Sequence, residues 1–384
     1  MWDIFCNVID NYGDIGISWR LARQLRGEHA LAVRLWVDDL SALQRLHPQT
    51  DPDCDAQMLA DIDVRRWSSS FPVDIQPGEV VIEGFGCSLP ESFLQAMAAR
   101  AQPPVWINLE YLSAEGWVAG CHKLQSPHPR LPLTKYFFFP GFGTHTGGLL
   151  RESALLANRD AFQQSGTADY WRSVGLEPPA AEERRISLFA YENAGLDDLL
   201  DAWAQGSRDL TLLVPEGRIA PQVCGYFDAP GFAPGQILER GRLRAKLLPF
   251  SDQDTFDRLL WACDFNFVRG EDSFIRGQWA ARPFVWHIYP QSDQAHVPKL
   301  EAFLDQYCED MSTELAAATR ALFRAWNGVP GASTMAAAWT LAEKEATPWR
   351  AFAKDWSNLL AAGPELSNAL VKFAQAHVKS RPFD

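Results

Sequence analysis

The sequence predicts an α/β protein built from two doubly wound, Rossmann-like domains. Short apolar runs alternate with amphipathic helical stretches, and the alternation occurs twice, on either side of a segment rich in glycine and proline. The 384 residues, with fifteen Trp and twenty-three Phe, are enough for two cores of ordinary size.

The first series opens with Trp2 to Ile9 as an apolar strand, followed by a helical stripe through Ile17, Trp19, Leu21, Ala22 and Leu25. Leu31 to Val37, Val80 to Phe85, Val105 to Leu109 and Tyr136 to Phe139 read as further strands, with a helix over Glu91 to Arg100. The run Pro140-Gly-Phe-Gly-Thr-His-Thr-Gly-Gly148 breaks regular structure, and a polar segment containing Pro178-Pro179 follows Trp171. A first domain is therefore expected over 1–155 and a second over 156–360. The second series starts at Arg185, with strands over Ile186 to Ala190, Leu210 to Val214, Ala245 to Leu248, Phe265 to Val268 and Pro283 to Ile288, and helices over Asp197 to Trp203 and Asp252 to Trp261. From about Met311 the tail is helical in pattern, and 361–384 is expected to form a helical segment that packs back on the first domain.

Two turns carry the chemistry. Asp10-Asn11-Tyr12-Gly13-Asp14-Ile15-Gly16 lies where the first strand gives way to a helix, so glycine freedom and exposed helix N–H groups meet two carboxylates. Two negative charges would repel a bound phosphate, so the pair is read as facing a cationic acceptor. The bland alternative has Asp10 capping a turn and Asp14 capping the helix. The second turn, Arg269-Gly270-Glu271-Asp272-Ser273, leads from a strand into a helix over Phe274 to Ala281. Arg can pair a phosphate bidentately, and Ser273 with nearby N–H groups can complete an anion nest. An ordinary helix start, capped by Asp272 or Ser273, remains the alternative. Phe189, Tyr191, Phe250 and Phe256 fall at strand ends or early in a helix on the same sheet edge, where they can stack a base, with Gln253 offering an amide to its edge. A base pocket beside a diphosphate site describes a nucleotide-sugar donor.

The net charge of −13 argues against a general nucleic-acid binder but leaves room for a local basic pocket. Seven cysteines without a Cys-x-x-Cys pair signal neither zinc nor a disulfide framework, and no apolar run is long enough to span a bilayer. A soluble cytoplasmic protein with free thiols is expected. Asp53 and Asp55, like Asp61 and Asp63, have Asp-x-Asp spacing but fall in stretches predicted to be exposed polar connections, so no metal site is expected. His287 and His296 flank Tyr289-Pro290-Gln291 and are read as hydrogen-bonded structural histidines. Neither Gly-x-Gly-x-x-Gly, a P-loop nor a serine elbow occurs.

Taken with Asn108-Leu-Glu-Tyr-Leu-Ser-Ala-Glu115, Phe137-Phe-Phe-Pro-Gly141, Thr146-Gly-Gly-Leu-Leu150, Phe189-Ala-Tyr-Glu-Asn193 and His287-Ile-Tyr-Pro-Gln291, these turns resemble the EarP family of bacterial protein-arginine rhamnosyltransferases. The resemblance runs over nearly the whole chain. It implies a GT-B fold with two facing domains, dTDP-β-L-rhamnose as donor with no cofactor or metal, inversion at the anomeric carbon, and an arginine of elongation factor P as acceptor. By matching motif, Asp10 and Asp14 are the acceptor-side carboxylates and Glu271 the third essential acid. Phe189, Phe250 and Phe256 form a thymine pocket joined by Tyr191 and Gln253, and Arg269, Asp272 and Ser273 line the donor. Asn11, Tyr12, Gly13, Gly16 and Gly270 are grouped with the donor-binding set, and Tyr111, Ser113 and Glu115 are candidates for an acceptor-facing wall. Two other readings stay open: a non-catalytic nucleotide-sugar sensor or scaffold, and a GT-B enzyme with a small-molecule acceptor.

Overall fold

The computed structural model describes residues 1–9, 12–68, 71–72, 74–291 and 294–379. The chain divides into two compact units, Met1–Ser153 with Leu360–Asp384, and Ala154–Leu359.

The first unit is built on an eight-stranded sheet. Its strands are β1 (Trp2–Cys6), β2 (Val33–Val37), β3 (Ala56–Leu59), β4 (Ile62–Arg66), β5 (Val80–Gly84), β6 (Val105–Leu109), β7 (Gln125–Pro127) and β8 (Thr134–Phe138), in the order β3-β4-β2-β1-β5-β6-β8-β7. The six inner strands are parallel, and β3 and β7 run antiparallel at the two edges. Strands β1, β2, β5 and β6 are buried along their whole length, as strands of a sheet covered on both faces must be. Phe5, Trp36, Phe93, Met97 and Trp106 form one core cluster. Asp3 is fully buried inside β1. It is tolerated because Arg34 Nε (2.6 Å), Trp36 Nε1 (3.0 Å) and the Gly78 N–H (2.7 Å) all donate to it.

Strand β1 ends at Cys6, three residues before the apolar pattern does. The Val8 N–H turns to Asp38 Oδ1 (2.8 Å) and the Ile9 N–H to Asp14 Oδ2 (2.8 Å), so the backbone leaves the ladder and Ile9 is exposed. Asp61-Ile-Asp63 is also not an open connection. It belongs to the β3–β4 hairpin, with Ala60 and Asp61 at positive φ in the turn and Asp63 paired to Arg65 at 2.7 Å.

The glycine-rich break at 140–148 has a structural use. Gly148 sits at φ +77°, and a Cβ there would come 2.0 Å from the Pro364 carbonyl oxygen. That close approach lets Leu149 and Glu365 form a parallel bridge, which leads into the helix Leu366–Lys379. The helix packs Phe373 against Tyr136 (5.2 Å) and Phe138 (5.7 Å), so the chain's last helix belongs to the first unit.

The second unit carries six strands: β9 (Arg184–Leu188), β10 (Leu210–Pro215), β11 (Ile237–Arg240), β12 (Leu243–Leu248), β13 (Phe265–Arg269) and β14 (Phe284–His287). They lie in the order β11-β12-β10-β9-β13-β14, parallel except for the edge strand β11. Tyr170, Trp171, Leu213, Leu248 and Leu259 form a core cluster on this sheet. Helices Thr313–Trp326 and Met335–Lys344 belong to the same unit.

Each sheet changes direction at its first strand. The chain leaves β1 toward β2 and returns on the other side at β5, and it leaves β9 toward β10 and returns at β13. Doubly wound sheets bind ligands outside the carboxyl ends of the strands at such switch points. Both turns singled out by sequence stand there, one after β1 and one after β13.

Candidate active site

In the first unit, Asp10 and Asn11 lie outside the described residues. The helix that follows is Gly13–His29, and its N-cap is Tyr12, which makes no side-chain cap bond. Asp14 is therefore not the helix cap. It stands inside the first turn, where a negative charge suits the helix dipole, and only 2% of it is exposed. One carboxylate oxygen accepts from the Ile9 N–H at 2.8 Å and the other from the Tyr111 hydroxyl at 3.1 Å. Tyr111, on the loop after β6, stacks at 4.8 Å on Phe85, which holds positive φ just past β5. A buried carboxylate is thus fixed from two directions at the switch point of the first sheet.

Ser113 and Glu115 close on each other instead, Ser113 Oγ to Glu115 Oε2 at 2.9 Å with the Glu115 N–H returning to Ser113 Oγ. Of the three residues proposed for the acceptor wall, Tyr111 is the one joined to Asp14. Asp38, which holds the Val8 N–H and the Asn7 amide, was not singled out from sequence; its neighbourhood to the first turn arises only when β1 and β2 pair.

In the second unit, β13 ends at Arg269 and the helix begins at Asp272, two residues earlier than the apolar pattern suggests, and ends at Trp279. Gly270, at φ +58°, makes the sharp turn between them. Its N–H donates to the His287 carbonyl (3.2 Å), and its carbonyl accepts from Trp286 Nε1 (2.7 Å). Glu271 occupies the N-cap position, half-buried, and makes no side-chain cap bond. Ser273 turns inward: its hydroxyl donates to the Arg269 carbonyl and accepts from the Arg269 N–H at 2.9 Å. The hydroxyl expected to complete an anion nest is instead a staple that sets the position of Arg269.

The Arg269 guanidinium lies 4.5 Å from the ring centre of Phe189 and 4.7 Å from that of Tyr191, both just past β9. Such a desolvated cation–π pair contributes about 2 kcal/mol. Phe256 meets Phe189 edge-on at 5.2 Å, and Gln253 Nε2 donates to Asp272 Oδ2 at 3.1 Å. Phe250 stands half-buried beyond the end of β12. One sheet edge therefore gathers Phe189, Tyr191, Phe256, Arg269, Gln253 and Asp272. Beneath it, Arg276 forms a buried two-pronged pair with Asp257 (2.9 and 2.5 Å) that ties the helices Asp272–Trp279 and Gln253–Ala262 together. Removing one partner of such a pair typically costs about 3–5 kcal/mol.

His287 is buried, but its Nδ1 has no hydrogen-bond partner among the described residues, so the expected hydrogen-bonded histidine is not what the structure shows. Burial, and then the cation of Arg269, push its pKa down to about 3, and its ring packs on Tyr191 (5.3 Å) and Trp326 (5.6 Å). Arg218, 6.0 Å from the Tyr191 ring, is a further cation at this edge that sequence reasoning passed over; its place in the Glu216-Gly-Arg turn after β10 was the available signal. Among the described residues, no group of three or more His, Cys, Asp or Glu could hold a metal ion, and no helix is long and apolar enough to cross a membrane.

Two Rossmann-like units, one with a buried carboxylate at its switch point and the other with a cationic, aromatic edge, define a glycosyltransferase of the GT-B class. The family described as "Elongation-Factor P (EF-P) rhamnosyltransferase EarP" matches residues 2–375. Among curated relatives, a protein-arginine rhamnosyltransferase of Pseudomonas putida KT2440 is 50% identical over 375 residues, covering 97% of this chain and 98% of the relative. One from Pseudomonas aeruginosa PAO1 is 47% identical, with the same coverage of both chains. A solved structure described as the basis for EarP-mediated arginine glycosylation of elongation factor EF-P superposes with a TM-score of 0.70 at 37% identity, covering 98% of each chain. A UDP-glucosyltransferase from Polygonum tinctorium, 9% identical with a TM-score of 0.52 and 97% coverage of each chain, shares the fold alone. The chain belongs to the EarP family of protein-arginine rhamnosyltransferases and is a glycosyltransferase.

Proposed function

We propose that this enzyme transfers L-rhamnose from dTDP-β-L-rhamnose to one arginine side chain of elongation factor P, with inversion at the anomeric carbon, in the cytoplasm. The observation that carries the acceptor half is the fixation of Asp14, buried and held by Ile9 and Tyr111. Guanidinium has a pKa of about 12.5–13.8, so full deprotonation near neutral pH would cost roughly 7–9 kcal/mol. A carboxylate is too weak a base to do this as a separate step. The reading is a coupled displacement. Asp10 and Asp14 hold and polarise the guanidinium; one of its nitrogens attacks the anomeric carbon, and the carbon–oxygen bond to the diphosphate breaks with its electron pair. Asp14 takes the proton as the carbon–nitrogen bond forms.

On the donor side, Phe189, Phe250 and Phe256 would receive the thymine with Tyr191 and Gln253. Arg269, with the N-terminus of the helix Asp272–Trp279, would offset the charge on the departing diphosphate, and Asp272 would face the sugar or ribose. Ser273 serves this site through the backbone of Arg269. Glu271, at the same turn, is proposed as the third acid, binding a hydroxyl or the incoming cation. Asn11, Tyr12, Gly13 and Gly16 border the acceptor turn, where backbone N–H groups can approach the sugar. No cofactor or metal takes part in this reading: turnover is expected to survive EDTA, and full loss restored by a divalent cation would overturn that point.

The test is the intact mass of elongation factor P after incubation with this protein and dTDP-rhamnose. A gain of one deoxyhexose, lost when the acceptor arginine is replaced, is expected; an unchanged mass with active donor present would refute the reading. Free arginine is expected to be a poor acceptor, because a loop-borne side chain arrives partly oriented.

A further inference from the structure

The amino-terminal edge of the second sheet, opposite the edge that carries Arg269, holds a cavity of about 250 Å³. It opens where β9, β10 and β13 begin, and helices Met335–Lys344 and Ala346–Ala362 close over it. The five residues of β9 separate it from Phe189, about 16 Å at the rise of an extended strand. It is thus distinct from the donor site.

The walls are aromatic. Trp339 meets Trp203 edge-on at 5.2 Å and Phe265 at 5.2 Å, and Phe265 meets Trp349 at 5.3 Å. Trp203 is 97% buried by its 3% exposure, yet its indole N–H has no hydrogen-bond partner among the described residues. The rim is cationic: three arginines, Arg184, Arg208 and Arg350, line the cavity against two acids, Asp264 and Glu343. Arg184 and Arg350 share the single carboxylate of Asp264 at the long distances of 4.0 and 3.6 Å. Next to the lining Pro283, Arg282 has its pKa pushed down to about 10, by burial first and by Arg350 next. Positive charge is in excess around a pocket of aromatic rings.

We propose that this cavity binds a small aromatic carboxylate. Its ring packs among Trp203, Trp339 and Trp349, and its carboxylate pairs with Arg184 and Arg350. The volume suits one or two fused rings and excludes a nucleotide.

Calorimetric titration of the full-length protein with 2-naphthoate, and with neutral 2-naphthamide, tests this. Saturable one-to-one binding of the acid is expected, with the amide at least about tenfold weaker, as the loss of a charged hydrogen bond implies. Arg350→Glu, at a half-exposed position, should weaken the acid about tenfold, and Ala346→Trp should fill the cavity and abolish binding. Saturating dTDP should leave the affinity unchanged. No saturable binding to the wild-type protein, equal binding of acid and amide, competition by dTDP, or wild-type affinity in a folded Arg350→Glu protein would each overturn the assignment. Circular dichroism and melting curves of both variants confirm that they are folded, and the acid-against-amide comparison needs no variant.

Discussion

The turn after β1 and the turn after β13 are solved by one device with opposite charge. Each carries a side chain in the first helical turn that reaches back to the backbone beside its strand: Asp14 accepts the Ile9 N–H, and Ser273 accepts the Arg269 N–H. In the first turn the reaching group is itself ionic, so the switch point presents a buried carboxylate. In the second it is a neutral hydroxyl, and the charge is the Arg269 guanidinium, laid over Phe189 and Tyr191. The same topology thus presents a buried carboxylate at the switch point of one unit and a buried guanidinium at that of the other.

The largest break of this comparison is Asp14→Asn. The amide keeps one acceptor oxygen for the Ile9 N–H or the Tyr111 hydroxyl, so the melting temperature should change little, while turnover should fall about 10²–10⁴-fold, the range of general base catalysis. Donor affinity should stay at the wild-type level. A folded Asp14→Asn enzyme with wild-type kcat would leave this carboxylate a purely structural one.

Arg269→Ala is the mirror experiment. Losing a charged contact of about 1.5–3 kcal/mol should raise the dTDP-rhamnose dissociation constant roughly tenfold to a hundredfold, with Arg269→Lys intermediate because Lys keeps the charge without the planar stack. Equal donor affinity in wild type and Arg269→Ala would deny the second turn its anionic ligand. Phe256→Ala removes stacking of roughly 1–3 kcal/mol, so dTDP should bind about tenfold more weakly by calorimetry. If a folded variant binds dTDP normally, the ring is core only.

The smallest effects belong to the groups that position the charges. Tyr111→Phe keeps the stack on Phe85 but removes one bond to Asp14, and Ser273→Ala removes the staple on Arg269; each lost bond is worth about 1 kcal/mol. Tyr111→Phe should lower kcat several-fold with KM for donor unchanged, whereas Ser273→Ala should raise that KM several-fold with kcat nearly constant. The opposite pattern in steady-state kinetics would mean that the two turns do not divide acceptor from donor.

Most inner strands were legible in the sequence because a parallel strand buried on both faces is apolar almost throughout, as β1, β10 and β13 are; β4, in which Asp63 and Arg65 alternate with buried Ile62 and Val64, was missed. Of the edge strands, the fully buried β14 was legible and the exposed ones were not. Ala56–Leu59 and Gln125–Pro127 are mostly exposed, so no hydrophobic pattern marks them, and only pairing with β4 and β8 makes them strands. The two glycine turns could likewise be found from residue type and spacing, since a strand, a glycine, a charge and a helix are local features.

What surrounds those turns could not be found that way. Tyr111 meets Asp14 across 97 positions of chain, and Arg269 meets rings some eighty residues earlier. The sequence by itself determined the α/β class, the two series of strands and the charge available at each turn, because these follow from local periodicity and residue chemistry. Only the tertiary structure decided that Asp14 is a buried, twice-held carboxylate rather than a helix cap, and that Ser273 faces its own strand. Those outcomes depend on which strands become neighbours, and that choice is made by packing between segments far apart in the chain.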